Sequence, residues 1–365
     1  MDLSVMFFGA DDASAGHAAK YADILAIAQA ADQLGFTAVW TPERHFQQVG
    51  QLFPNPALLS AALATATERI HLRAGSLVLP LHHPLRVAED WAVVDNLSRG
   101  RIGVSVATGW HSRDFVLAPA AYEDRRERAF RDLALLRRLW AGEAVEFTDG
   151  TGGRVAVTSQ PRPYSATLPL WTTTSGSPRT WEAAGRMRTN ILGATIGQTR
   201  DELAAKIRLY RDAYAAAPDQ PGAPPEGTVT LMAHTLVAAT DELAREQAGG
   251  PLMAYLRSYV AQTAANKQSG ADRQGTRMAR GVADDKGTRV AALNEEQLGA
   301  LTAFAFQRYL TWGSLIGSPE TCRKSLADLA DLGCDEVACF VDFGLGADDV
   351  LTSLTRLADL SREDR

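Results

Sequence analysis

Long apolar runs are missing from this sequence: no segment approaches the roughly 20 residues that a membrane-spanning helix needs. The stretch from Met1 to Gly9 has neither a basic segment nor a small-residue cleavage site, so neither export nor anchoring is expected. Cysteine is scarce. Cys322, Cys334 and Cys339 cannot all pair with one another, which argues against a disulfide framework and for a reducing, cytoplasmic compartment. No His-rich electropositive setting lies beside them, so they read as small buried apolar residues rather than nucleophiles. Positive charge is in deficit as well. The 37 Lys and Arg against 43 Asp and Glu leave a formal charge of −6, which removes any general attraction to nucleic acid or anionic lipid. Neither Gly-x-Gly-x-x-Gly nor Gly-x-x-x-x-Gly-Lys-Ser/Thr occurs, so a Rossmann dinucleotide site and a P-loop are not expected. His82 and His83 are adjacent rather than four apart, with no Cys/His cluster nearby, and no metal is expected.

What the sequence does have is a repeating cycle of short apolar strand, loop and amphipathic helix. Leu3 to Phe8 reads as a strand, followed by a helix in which Tyr21, Ile24, Leu25, Ala28, Ala31 and Leu34 recur at helical spacing before Gly35. Phe36 to Thr41, Ile70 to Leu79 and Arg101 to Ala107 open three further cycles. After a hairpin at Glu143 to Thr158, strands are expected at Leu168 to Thr173, Asn190 to Gly193, Val229 to Ala238 and Glu336 to Asp342. Eight such units across residues 1–365 predict one domain, a (β/α)8 TIM barrel, with an open doubly wound sheet as the alternative. Between Ala264 and Val290 apolar residues thin out and basic ones dominate. That stretch is expected to be an insertion before the last strand, either a solvated excursion or a lid.

A barrel carries its chemistry at the C-terminal ends of its strands. After the second strand come Glu43, Arg44 and His45; after the third, His82 and His83; after the fourth, Thr108, Gly109, Trp110 and His111. After the fifth, Thr174, Ser175, Gly176 and Ser177 precede Pro178. Free N–H groups at a helix N-terminus, with hydroxyls beside them, favour an anion such as phosphate. A plain N-cap needs only one of those serines. Gly344-Leu-Gly346 after the last strand is the rival phosphate loop, with Asp348 and Asp349 counting against it.

Three segments together, Phe36-Thr-Ala-Val-Trp-Thr-Pro-Glu-Arg-His-Phe46, Gly75-Ser-Leu-Val-Leu-Pro80 with His83-Pro84, and Gly109-Trp-His-Ser-Arg-Asp-Phe115, resemble the luciferase-like flavin-dependent monooxygenases of the bacterial luciferase superfamily. The likeness is to the natural-product biosynthesis subgroup in particular and takes in Trp171 to Ala184 and Cys339 to Gly344. It implies reduced FMN supplied by a separate, transiently bound flavin reductase, O2 as co-substrate, and hydroxylation or Baeyer–Villiger oxidation of a free or carrier-protein-tethered intermediate. It also implies a homodimer, a cis Gly75–Ser76 bond against the flavin, and FMN contacts from Gly75, Ser76, Thr108, Gly109, Thr174, Ser175, Gly176 and Ser177. His45, His111 and Glu43 become the catalytic candidates, His45 for proton management, while His82 and His83 stay structural. Two departures stand out: Arg44-His45 replaces consecutive histidines, and Thr108 replaces an arginine near the phosphate. Competing functions are hydride transfer with a deazaflavin, and a non-catalytic flavin-binding partner subunit.

Overall fold

The computed structural model describes residues 1–9, 16–46, 52–174, 176–268 and 295–363. Its strands are β1 (Asp2–Met6), β2 (Ala38–Thr41), β3 (His71–Val78), β4 (Ile102–Ala107), β5 (Val145–Thr148), β6 (Arg154–Val157), β7 (Leu170–Thr173), β8 (Asn190–Ala194), β9 (Val229–Val237), β10 (Leu315–Gly317) and β11 (Glu336–Phe340). Eight of them are parallel neighbours in the order β1-β2-β3-β4-β7-β8-β9-β11, and β11 pairs back onto β1. The sheet is a closed (β/α)8 barrel. Nearly all its strand residues are buried, which is why they read as continuous apolar runs instead of alternating ones. The hairpin β5–β6 is antiparallel and stands outside the ring.

Helices α1 (His17–Leu34), α2 (Pro56–Ala66), α3 (Pro84–Ser98), α4 (Arg125–Ala141), α5 (Pro178–Arg186) and α6 (Arg200–Ala216) follow the first six barrel strands. Local signals start and stop them. The Asn55 side chain caps Ala57 and Leu58 N–H at the start of α2, and Thr199 with Glu202 forms a capping box on α6. Gly35 ends α1 at φ 89°, a left-handed conformation that suits glycine. The buried Asp32 carboxylate accepts N–H groups from Glu68, Arg69 and Ile70, pinning α1 to the entrance of β3.

The seventh unit is larger than the sequence pattern suggests. After β9 come α7 (Asp241–Gln268), α8 (Glu295–Thr311), β10 on the edge of β9, and α9 (Pro319–Ala330) before β11 and α10 (Ala347–Glu363). Residues 264–268, expected to open the insertion, continue α7; residues 269–290 of that expectation lie outside the described residues.

The lower barrel interior is polar and holds a buried ion pair. Arg73 Nη1 bonds both Glu336 oxygens at 2.9 and 2.8 Å, with its guanidinium against the Trp40 and Trp171 rings at 4.9 and 4.6 Å. Trp40 Nε1 donates to Ser4 Oγ at 2.9 Å. These side chains fill that end of the barrel, leaving the mouth formed by the C-terminal strand ends as the place to look for a ligand site.

Candidate active site at the barrel mouth

At that mouth a cavity of about 190 Å³ is walled by Met6, Phe8, Pro42, Glu43 and Arg44, by Gly75, Ser76 and Val78, by Ala107 to Trp110, and by Thr173 and Thr174. Leu192 to Ala194, Met232 and Tyr255 complete it. The barrel thus brings Glu43, Gly75, Ser76, Thr108, Gly109 and Thr174 to one space. The Gly75–Ser76 bond is cis. A Cβ on Gly75 would sit 2.9 Å from both Met6 Cε and Trp40 Cβ, so only glycine lets the strand end pass so close to the wall.

Glu43 is buried and saturated with donors. Oε1 meets His45 Nε2 at 2.9 Å and His82 Nε2 at 2.6 Å, while Oε2 accepts the Val78 N–H at 2.6 Å. Burial alone would raise its pKa; the bonds from His45 and His82, the charge of His82 and the Val78 N–H outweigh it and hold the carboxyl below its ordinary value. For His82 the balance runs the other way. Burial disfavours its cation, but the Glu43 carboxylate wins and raises its pKa. His82, read from the sequence as structural, is therefore part of the same cluster as His45. Sequence spacing could not show this, because the two loops meet only through β2–β3 pairing.

His45 and His111 do not themselves wall the cavity. His45 reaches it through Glu43. His111 is buried, its ring 3.5 Å from that of Trp110, which does line the space. Arg44, at the position of the missing second histidine, lines it too, with its guanidinium 3.9 Å above the Phe8 ring. His83 instead caps α3, accepting the Leu85 N–H. Trp40 is core and Phe46 is exposed.

Beside the cavity wall at Thr174 lies the N-terminus of α5. Ser177 is its N-cap residue, yet its hydroxyl makes no capping bond. Gly176 adopts φ 134°. Ser175 lies outside the described residues. A Cβ on Gly176 would stand 3.7 Å from Lys206 Nζ and 3.7 Å from Gln198 Oε1. Lys206 comes from α6, is 3% exposed, and donates to Gln198 Oε1. Lysine is rarely buried without compensation, and here its ammonium adds positive potential to that of a helix N-terminus. Sequence reasoning missed Lys206, although a signal existed: it shares the buried stripe of α6 with Leu203, Ile207, Tyr210 and Tyr214. At the rival Gly344 loop the neighbouring Phe8 and Gly9 N–H groups are taken by the Asp342 carboxylate at 2.7 and 2.8 Å, which disfavours an anion.

Cys322, Cys334 and Cys339 are buried free thiols, each pushed by burial up to about 12, too high for nucleophilic use. Among the described residues no His, Cys, Asp and Glu group is arranged to hold a metal ion, and no helix is long and apolar enough to cross a membrane.

A flavin-dependent trigonelline monooxygenase, oxygenase component, from Acinetobacter baylyi is 24% identical over 92% of this chain and 88% of its own. A 4-hydroxyprotoasukamycin monooxygenase from Streptomyces nodosus is 31% identical over 52% of this chain and 53% of its own. The crystal structure of monooxygenase RslO1 from Streptomyces bottropensis superposes with a TM-score of 0.76, covering 100% of this chain and 99% of the other at 23% identity. With the model of the luciferase-like monooxygenase family matching residues 1–336, the chain belongs to the luciferase-like monooxygenases.

Proposed function

We propose that this chain is the oxygenating component of a two-component system that binds reduced FMN at the barrel mouth. It takes O2 as co-substrate and hydroxylates, or oxidises in the Baeyer–Villiger sense, a natural-product intermediate, free or tethered to a carrier protein. The observation that carries this reading is Lys206 Nζ beside Gly176 at the N-terminus of α5, next to a cavity whose wall is rich in glycine. That donor set suits a phosphate monoester on a flat ring system: backbone N–H groups, the Ser177 and Thr174 hydroxyls and one ammonium. Lys206 supplies the charge that Thr108, in place of an arginine, does not. Bound reduced flavin would supply the electrons for O2 activation.

The protein's own contribution is positioning and proton control. Gly75, Ser76, Thr108 and Gly109 would fit against the ring, and Thr174 to Ser177 with Lys206 against the phosphate. Glu43, ionised between two imidazoles, would orient His45 and hold a proton on His82 at the cavity edge. His111 backs Trp110, whose ring stands 5.9 Å from the Arg44 guanidinium. Leu58 on α2 and Val93 and Leu97 on α3 are exposed apolar residues on two helices that pack together, which supports a homodimer built on that face. The name of the Acinetobacter relative, an oxygenase component, supports a separate reductase. The test is mass spectrometry of products formed under 18O2 from candidate acyl-carrier and free polycyclic substrates, with FMN, NADH and a reductase present. One 18O atom per product supports the reading; reduced product without 18O moves it to hydride transfer.

A further inference from the structure

His234, a barrel-wall histidine, has no part in the reading above. It lies on β9, where inward residues alternate: Thr230 reaches the polar plug at Glu336, Met232 walls the cavity, and His234 follows one step nearer the mouth. Its side chain is completely buried. Nδ1 lies 2.8 Å from the Tyr309 hydroxyl, which also accepts the His234 backbone N–H at 3.1 Å, so α8 fixes the ring. Nε2 has no hydrogen-bond partner among the described residues. Around the ring stand Phe340 at 4.3 Å, Tyr255 at 4.8 Å and Phe343 at 5.2 Å between centroids.

Burying a polar atom without a partner costs free energy, so an unpartnered Nε2 points to a group that meets it during function. The surroundings define that group. The site is aromatic, and burial pulls the imidazole pKa down to about 3, leaving a neutral ring that favours no anion. Tyr255 belongs both to the cavity wall and to the His234 cage. A cavity of about 190 Å³ is smaller than the roughly 300–1,000 Å³ usual for a drug-sized ligand, so a flavin ring and an organic substrate together require the wall to yield on one side. The sides next to Gly75, Thr108 and Thr174 are strand ends of the closed sheet; Tyr255 is a side chain on a helix. Accordingly, resting on the flavin reading, we propose that His234 determines substrate specificity, its Nε2 hydrogen-bonding a ketone or phenol oxygen of a planar, uncharged substrate that displaces the Tyr255 ring.

The test uses 2-naphthol and naphthalene as probes on the FMN-saturated protein, with calorimetric titration of each. The wild type is expected to bind 2-naphthol about five- to ten-fold more tightly, the worth of one neutral hydrogen bond. His234→Leu is expected to bind the two equally, and His234→Asn to recover part of the preference. FMN affinity, measured on the same samples, stays within three-fold throughout. A wild type without preference, or a His234→Leu that keeps it, overturns the proposal. If FMN does not bind at all, the flavin reading fails on its own, and the same two titrations on the flavin-free protein still decide the role of His234. Should His234→Leu not fold, imidazole 15N NMR of the wild type decides instead: Nε2 must shift with 2-naphthol and not with naphthalene, and an unmoved resonance overturns the assignment.

Discussion

Oε1 of Glu43 lies 2.6 Å from Nε2 of His82, joining the ends of two neighbouring barrel strands through a charge-assisted bond next to the cavity. The two shifts fix its pH dependence. Glu43 has a lowered folded pKa, so its contribution is present above its ordinary 4.5 and is lost as pH falls through the folded value. His82 has a raised folded pKa, so its contribution is full below 6.5 and is lost as pH rises through the folded value. The pair therefore stabilises most between pH 4.5 and 6.5. Thermal unfolding of wild type and His82→Gln across that range and above it checks this: the gap in Tm should narrow as pH rises beyond 6.5, and parallel curves would remove the ion pair.

His45 shares the same carboxylate oxygen at 2.9 Å and acts on the cavity only through it. His45→Ala is expected to leave FMN affinity within a few-fold and to lower product formation by about 10²-fold, the usual scale for a positioned acid–base group. Oxygen uptake should continue, so H2O2 per product rises. His82→Gln should uncouple in the same direction. A merely structural histidine would lose stability and flavin together at an unchanged ratio, and that ratio is the measurement to make.

The Arg73–Glu336 pair is a second buried charge relationship among the described residues, with Arg73 Nη1 shared between the two Glu336 oxygens at 2.9 and 2.8 Å. Glu336→Ala strands a guanidinium in the barrel between two indoles and should cost about 3–5 kcal/mol. Denaturant unfolding measures it. A loss below about 1 kcal/mol would mean that water or another group takes over the Glu336 oxygens.

The barrel was legible because strands buried on both faces leave long Val, Leu, Ile and Ala runs, and because Gly35, Asn55 and Thr199 mark helix ends by side-chain and backbone chemistry. The rim loops were legible for a topological reason: residues just past a barrel strand reach the mouth. Partnerships across the rim were not. His82 and Glu43 are 39 positions apart, and nothing local separates His82, which joins the cluster, from His83, which caps a helix. Lys206 and His234 were overlooked although each left a trace, a lysine on the apolar stripe of α6 and an imidazole in the middle of a fully buried strand. Helices α7 to α9 escaped because they add to the seventh unit instead of repeating the strand and helix cycle.

Anaerobic titration of the protein with reduced FMN, reduced riboflavin and a reduced deazaflavin, in wild type and Lys206→Met, tests the proposed cofactor site most directly. A phosphate held by the start of α5 and by Lys206 should make FMN bind at least ten-fold more tightly than riboflavin, since each charge-assisted bond is worth roughly 1.5–3 kcal/mol. Lys206→Met should erase most of that difference and leave riboflavin nearly unchanged, with Ser177→Ala acting in the same direction. Equal affinity for FMN and riboflavin in the wild type would contradict a phosphate site at Gly176, and tighter binding of the deazaflavin than of FMN would contradict oxygenation as the reaction.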